Sequence, residues 1–523
     1  MKRLICKAAA LAVLLAGGFL SSARAQYLDQ IGVTLLRAMT TNLNGAGIKV
    51  GQAEASAPAF EVTPSIVGQP TNLFTWIVGS SPYLLPPSQS STFTNSLGVD
   101  SNHADNVGND FYGIPNGVAT NVAHVNNYDA DTFINYYVND NHAITERIVN
   151  QSFTFGTNDD SINQIYDDYA AQHDVLFVSG AGFNNNPVWT PGTCYNSIGV
   201  GVFNNGGSPY GPTVDGRSKP DITAFGYQDT VTSYSTAQVS GAAALLMQAG
   251  GRGDGGGNTN AATDIRTLKA LLLNGAVKPA DWTNSTTNPL HSRYGAGVLN
   301  VFNSYEQLAG GKNVFIASST NSVGGAHPPT GATGTIAVLS GWDFNTNTSS
   351  AGNEVVKHYY FNVTNTSDGV ALATTLVWNK QSGQTAINNL NLFLYNCANS
   401  NLVACSTSLV DNVEHIFTPK LAPGRYDLQV WKAGGSFVSA SETYALAFAF
   451  VPTKLYLARS GTNAVVTWPV YPAGFLVEAT TNLAAPAWST NSLPPSTLTN
   501  SLNSLMLKAT NASQFFRLRQ SNF

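Results

Sequence analysis

Between about Gly45 and Gly310 the chain alternates between two hydrophobic patterns. The runs "GIKVGQAEA", "ERIVNQSFTFG", "DVLFVSGAG" and "NSIGVGVF" are short, rich in β-branched residues and bounded by turn formers, which predicts buried strands. The stretches "SINQIYDDYAAQH", "TAQVSGAAALLMQAG" and "DIRTLKALLLNGA" instead carry apolar residues at helical spacing. Buried strands interleaved with helices call for a parallel sheet covered on both faces, because parallel neighbours need crossover connections. An α/β domain is therefore expected over residues 26–311. Ligands and chemistry in such a sheet belong at the carboxyl ends of its strands.

The pattern changes at about Lys312. "HYYFNVTNT", "ATTLVWN", "NLNLFLYN" and "GRYDLQVWKA" alternate apolar and polar residues, with Gly, Asn and Ser turns between them. That predicts an antiparallel β-sandwich over residues 312–450. Residues 451–523, with "KLYLARSGTNAVVTWP", "GFLVEATTN" and "FFRLRQ", read as a small C-terminal β-domain too short for a large core.

The first residues, "MKRLICKAAALAVLLAGGFLSSARAQ", place Lys2, Arg3 and Lys7 before an apolar run and "ARA" before Gln26. This is the form of a signal peptide spanning 1–25, so a secreted or periplasmic location is expected. No later run is long and apolar enough for a transmembrane segment. Loss of the signal takes four basic residues and leaves 21 Lys and Arg against 30 Asp and Glu, a net of −9. That balance argues against a nucleic-acid partner. Charged residues are only 11% of the chain, which suits a rigid, loop-rich extracellular protein. Cys6 leaves with the signal and Cys194 stands alone. Cys397 and Cys405 flank "ANSNLVA", and a disulfide across that hairpin is expected in an oxidising compartment. "DNVEHI" groups Asp411, Glu414 and His415, but a solvated strand edge is expected there in preference to a metal site.

The stretch "QDTVTSYSTAQVSGAAALLMQAGG", residues 228–251, crowds hydroxyls from Thr230 to Thr236 onto the start of a helix of small and apolar residues. Free backbone N–H groups and the positive dipole end favour negative charge at that place. Two readings fit: an oversupplied N-cap, or a nucleophile at a helix N-terminus.

Four segments of this domain, in chain order, resemble the subtilisin-like serine peptidases. "VTSYSTAQVSG" is similar to the nucleophile signature G-T-S-M-A-A-P-H-V-A-G without a gap. Thr232, Ser233, Val239 and Gly241 fall in register, Ala237 stands where Pro is usual, and the glycine before Thr232 is missing. The upstream "DGRSKPDITAFG" resembles K-P-D-x-x-A-P-G, with Phe225 in the second Pro position. "SNHADNVGNDFYG" resembles H-G-T-H-V-A-G and puts His103 in the place of the general base. "GAGIKVGQAEAS" resembles the strand that ends in the triad's Asp, with Glu54 at that position; Asp100 and Asp105 are the fallback carboxylates. "VLFVSGAGFNNN" resembles the strand ending A-A-G-N, whose Asn helps bind the oxyanion. An ungapped reading puts Phe183 there, and a one-residue insertion, the reading preferred here, puts Asn184 there. "CYNSIGVGVF" and "RYGAGVLNVFNSYEQL" extend the likeness to roughly residues 45–308.

The resemblance implies a secreted serine endopeptidase working through Ser233, His103 and Glu54 on a polypeptide substrate, with no cofactor in the chemistry. Calcium is common among such proteins, but no ligand set is legible. A monomer is expected. Residues 26–53 are too few for a folded inhibitory propeptide, so maturation by its release is not expected. Phe153 and Phe155 in "QSFTFG" fit either a cleft wall or the core. A second reading is a catalytically impaired scaffold that binds other molecules, supported by Glu54, Phe183 and Ala237. An α/β-hydrolase esterase is disfavoured, because no G-x-S-x-G elbow is present and the order is carboxylate, His, Ser.

Overall fold

The computed structural model describes residues 27–40, 42–55, 59–79, 81–83, 101–203, 208–226, 231–364, 370–435, 438–452, 455–469, 475–490, 493–499, 502–508 and 513–520. The signal segment, Cys6, Asp100 and Thr230 lie outside the described residues.

The N-terminal half folds around one eight-stranded sheet. Its strands are β1 (Lys49–Glu54), β2 (Phe74–Val78), β3 (Ser81–Tyr83), β4 (His124–Asp129), β5 (Ile148–Gln151), β6 (Leu176–Gly180), β7 (Ile198–Val202) and β8 (Ile222–Ala224), in the order β3-β2-β4-β1-β5-β6-β7-β8. All neighbours are parallel except β2 and β3. The four runs read as strands in the sequence form β1, β5, β6 and β7. The chain leaves β5 at Gln151, so "SFTFG" is not strand.

Five helices matter to the site: α1 (Asn102–Phe111), α2 (Asp160–His173), α3 (Ser233–Gly251), α4 (Ile265–Gly275) and α5 (Val301–Ala309). Of these, α3 is buried almost all round, as a helix of Ala, Gly, Leu and Val must be when it runs through a core. Its small residues let other elements come close. A β-carbon at Gly241 would lie 2.5 Å from the Val118 Cβ, well inside van der Waals contact. Both α2 and α4 start on Asp side chains that accept backbone N–H groups, Asp159 and Asp264.

The C-terminal half is antiparallel. Strands β9 (Ala317–Ser322), β10 (Ser340–Thr348), β11 (Asn353–Val363), β12 (Val370–Trp378), β13 (Leu390–Asn396), β14 (Leu402–Ser406), β15 (Val413–Leu421), β16 (Gly424–Lys432) and β17 (Ser441–Pro452) form two sheets, β10-β17-β12-β15 and β14-β13-β16-β11-β9. Tyr359, Leu392 and Leu428 from one sheet and Leu372, Leu446 and Phe448 from the other share one buried core. Residues 456–520 add smaller antiparallel sheets over a core of Val466, Trp468, Val477 and Leu505.

The first of the paired sheets rests on the α/β half. Trp342, Val377, Val413, Ala445 and Ala447 belong to the α/β core cluster. Polar groups are satisfied across this seam: Asn196 exchanges hydrogen bonds with the Lys380 backbone at 2.8 and 2.9 Å, and Asp411 accepts the Ser218 N–H at 2.7 Å. "DNVEHI" is therefore no solvated edge. Asp411, Glu414 and His415 are all buried, because their strand lies against the other half of the protein. Glu414 accepts the Ser408 N–H at 2.6 Å and His415 Nδ1 pairs with the Thr375 hydroxyl at 2.8 Å. Among the described residues no group of three or more His, Cys, Asp or Glu is arranged to hold a metal ion.

The expected disulfide is a second correction. Cys397 and Cys405 are both free thiols. The hairpin pairs Cys405 with Phe393, four residues before Cys397, which separates the two along the strands by about 13 Å. Spacing in sequence suggested a bridge, but the register of β13 with β14 forbids it.

Candidate active site

Glu54 is the last residue of β1, a central strand, and its side chain is buried. Its Oε2 lies 2.7 Å from His103 Nδ1. His103 sits in the first turn of α1, which opens on Ser101, whose hydroxyl accepts the Ala104 N–H at 3.2 Å. Ala104, Val107 and Phe111 bury the inner face of α1 and so fix which way His103 points. A carboxylate only accepts, so Nδ1 carries the proton and Nε2 is left as the basic nitrogen. The imidazole is 43% exposed. Burial disfavours its charged form, but the Glu54 carboxylate outweighs that and raises the His103 pKa above its ordinary value.

Ser233 is the first residue of α3. Its hydroxyl hydrogen-bonds the Ser152 carbonyl at 3.4 Å, while the Ser152 hydroxyl donates to the Ser233 carbonyl at 2.9 Å. The other hydroxyls of the run work on backbone carbonyls. Thr232 Oγ1 donates to the Gly182 carbonyl at 2.7 Å, and Ser235 and Thr236 donate to the Thr232 carbonyl at 2.8 and 2.7 Å. None of them caps the helix, since Thr232 makes no side-chain cap hydrogen bond. The oversupplied N-cap is thus not what this run builds.

His103, Ser233, Ser152, Phe153, Gly182 and Phe183 line one cavity of about 500 Å³ at the carboxyl ends of β1, β5 and β6. Phe153 is therefore a wall of the cleft, and both Phe153 and Phe155 pack against the core.

The preferred oxyanion residue, Asn184, does not line the cavity. Phe183, 45% exposed, lines the cavity, whereas Asn184 is exposed outside it with a φ of 56°. Gly182 turns the chain at a φ of 130°, and Phe183 then pairs with Val231 and sets its ring edge-on against Trp189 at 5.1 Å. The three asparagines are engaged or exposed elsewhere: Asn185 accepts from Arg293 at 3.2 Å and Asn186 donates to the Phe183 carbonyl at 2.9 Å. Of the fallback carboxylates, Asp105 accepts the Thr63 N–H at 2.6 Å instead of meeting His103. The structure brings His103 and Ser233 to one cleft, sets the buried Glu54 behind His103 and leaves Asn184 outside the cleft. The part played by Ser152 had no signal in the sequence beyond its place just after a buried strand.

Residues 117–297 match the model described as the subtilase family. His103 and Glu54 precede that segment and reach the site through α1 and β1. No curated protein matches the chain. Among solved structures, a serine protease of Aeromonas sobria is 14% identical, with 91% of this chain and 89% of that chain covered at a TM-score of 0.35. A protease from Pseudoalteromonas arctica is 15% identical, with 54% and 96% covered at a TM-score of 0.36. No helix among the described residues is long and apolar enough to cross a membrane. The matched segment, which carries strands β4 to β8 of the sheet and helix α3, is thus similar to the subtilase family of serine peptidases.

Proposed function

We propose that the chain is a secreted endopeptidase that cleaves peptide bonds through Ser233, His103 and Glu54, with Glu in the position usually held by Asp. The observation that carries this reading is the 2.7 Å contact of His103 Nδ1 with the buried Glu54 Oε2, while His103 and Ser233 line one cavity. Glu54 holds the imidazole in the tautomer whose Nε2 is free. Nε2 takes the Ser233 proton as Oγ attacks the peptide carbonyl, and the imidazolium is stabilised by the carboxylate. The α3 N–H groups stabilise the oxyanion. His103 then protonates the leaving amine, and water repeats the cycle on the acyl-enzyme. Export follows from the signal-like first 25 residues.

A fluorophosphonate tests this, because it reacts only with an activated serine. The parent chain is expected to label and Ser233→Ala to stay unlabelled. A folded parent that takes no label supports the second reading, an impaired scaffold, for which Phe183 in the oxyanion wall is the favouring observation.

A further inference from the structure

Glu54 has a second oxygen, turned away from His103. Its Oε1 accepts a hydrogen bond from Gln52 Nε2 at 2.8 Å. The other N–H of the same amide donates to the Ala104 carbonyl at 3.0 Å, one residue beyond His103 in α1. The amide oxygen accepts from the Tyr112 hydroxyl at 2.6 Å, and Tyr112 is the residue on which α1 ends. A carboxylate and a carbonyl can only accept, so the amide nitrogen must face both, and its oxygen is left to the phenol. Gln52 and Tyr112 are fully buried. Residues 52 and 54 lie on one face of β1 because side chains alternate along a strand.

One side chain thus ties the strand that carries the acid to both ends of the helix that carries the base. The tie has a particular use for Glu. Compared with Asp it has one more rotatable bond, and an unclamped carboxylate could swing out of reach of the imidazole. We propose that Gln52 is a positioning residue that holds the Glu54 carboxylate in the rotamer that meets His103, with Tyr112 locking the Gln52 amide in turn. This rests on the reading of Glu54, His103 and Ser233 as a triad. The plainer alternative is a core amide that contributes to stability alone.

The experiment compares the full chain with Gln52→Leu and Tyr112→Phe. Three quantities are read: the downfield proton resonance of His103 Nδ1–H, the pH dependence of kcat/KM, and kcat and KM on a peptide anilide. For Gln52→Leu, kcat is expected to fall on the order of 10²-fold with KM changed less than about twofold, as for a misplacement of about 1 Å. The Nδ1 proton is expected to broaden or vanish, and the acid limb to move to lower pH as the imidazolium loses its fixed partner. Tyr112→Phe keeps the ring packing and removes one lock. It is expected to shift the same readouts in the same direction, with kcat down about tenfold, and it carries the test if the leucine variant does not fold. Folded variants with lower thermal stability but the parent's Nδ1 proton, acid limb and kcat would overturn the proposal. The Nδ1 resonance is seen without turnover, so it reports on the clamp even if the parent takes no phosphonate label and the triad reading fails.

Discussion

Ser233 and Ser152 hold each other by reciprocal hydrogen bonds, hydroxyl to carbonyl, at 3.4 and 2.9 Å. The pair pins the start of α3 to the end of β5. For attack, the Ser233 hydroxyl must exchange the Ser152 carbonyl for His103 Nε2, a rotation between staggered positions. A 3.4 Å contact is a weak bond, so the exchange is cheap. In a crystal structure of the phosphonate adduct, Ser233 Oγ should therefore have left the Ser152 carbonyl. The stronger 2.9 Å bond is structural: Ser152→Ala is expected to cost about 1 kcal/mol of stability, read from denaturation midpoints, while still taking the label. An unlabelled, folded Ser152→Ala would instead place Ser152 in the chemistry.

Glu54 should be the residue after Ser233 and His103 whose loss most damages turnover. Glu54→Gln keeps the shape of the side chain but presents an amide to Nδ1 and favours the wrong tautomer. A fall in kcat of about 10⁴-fold is expected. Glu54→Asp shortens the reach by roughly 1.5 Å, one C–C bond, and is expected to cost about 10²-fold. Steady-state rates on a peptide anilide decide both. Aspartate at or above the parent rate would mean that β1 is not set back to suit the longer side chain.

The raised pKa of His103 has a direction that can be measured. Only the neutral imidazole accepts the Ser233 proton, so activity rises with pH through the folded-state pKa. Burial alone would lower that value and Glu54 raises it further, so the acid limb should have its midpoint above the ordinary value of about 6.5. In Glu54→Gln the burial stays and the opposing charge is gone, so the midpoint should drop below about 6.5. The phosphonylation rate as a function of pH reports both without a known substrate. A midpoint that does not move between parent and variant would detach Glu54 from His103.

The oxyanion wall gives an asymmetric pair. Asn184 lies outside the cavity, so Asn184→Ala should leave kcat within about twofold, where loss of a true side-chain donor costs about 10²–10³-fold. Phe183→Asn would put an amide at the cavity wall, and a gain in kcat of about tenfold or more is expected. A large loss in Asn184→Ala would show that the loop closes over substrate and carries Asn184 inward.

The reach of the sequence follows from how local each feature is. Strands β6 and β7, LFVSG and IGVGV, are buried on both faces and read as mostly apolar runs, and β1 and β5 read as strands from Val50, Ile148 and Val149. By contrast β4, "HVNNYD", is polar enough to pass for loop, because its Asn127 is buried and paired by Val62 and by carbonyls of neighbouring segments. The proposal for Ser233 rests in the sequence on its flanking residues, and that for Glu54 on its place at a strand end. The misses depended on partners far along the chain. Phe183 against Val231, Gln52 against Tyr112 and Asp411 against Ser218 are all tertiary pairings. The expected Cys397–Cys405 bridge failed on strand register, which the turn and both strands set together.

Lys278 supplies a prediction about stability. It is buried in the α/β half, where its ammonium donates to the Ala276 and Ala296 carbonyls and faces the rings of Trp282 and Phe417 at 5.0 and 5.6 Å. Burial lowers its pKa from 10.5 to about 7. The unfolded chain therefore binds a proton at this site between pH 7 and 10.5 that the folded chain does not. Stability contributed by this group is complete above pH 10.5, falls as the pH drops through that window, and is constant below about 7. The difference is on the order of 5 kcal/mol. Lys278→Met should remove that rise, so that the stability of the parent relative to the variant climbs from pH 7 to 10. Urea denaturation at intervals across that range measures it. Parallel curves would mean that the ammonium keeps its proton in the folded protein, held by the two carbonyls and the ring faces.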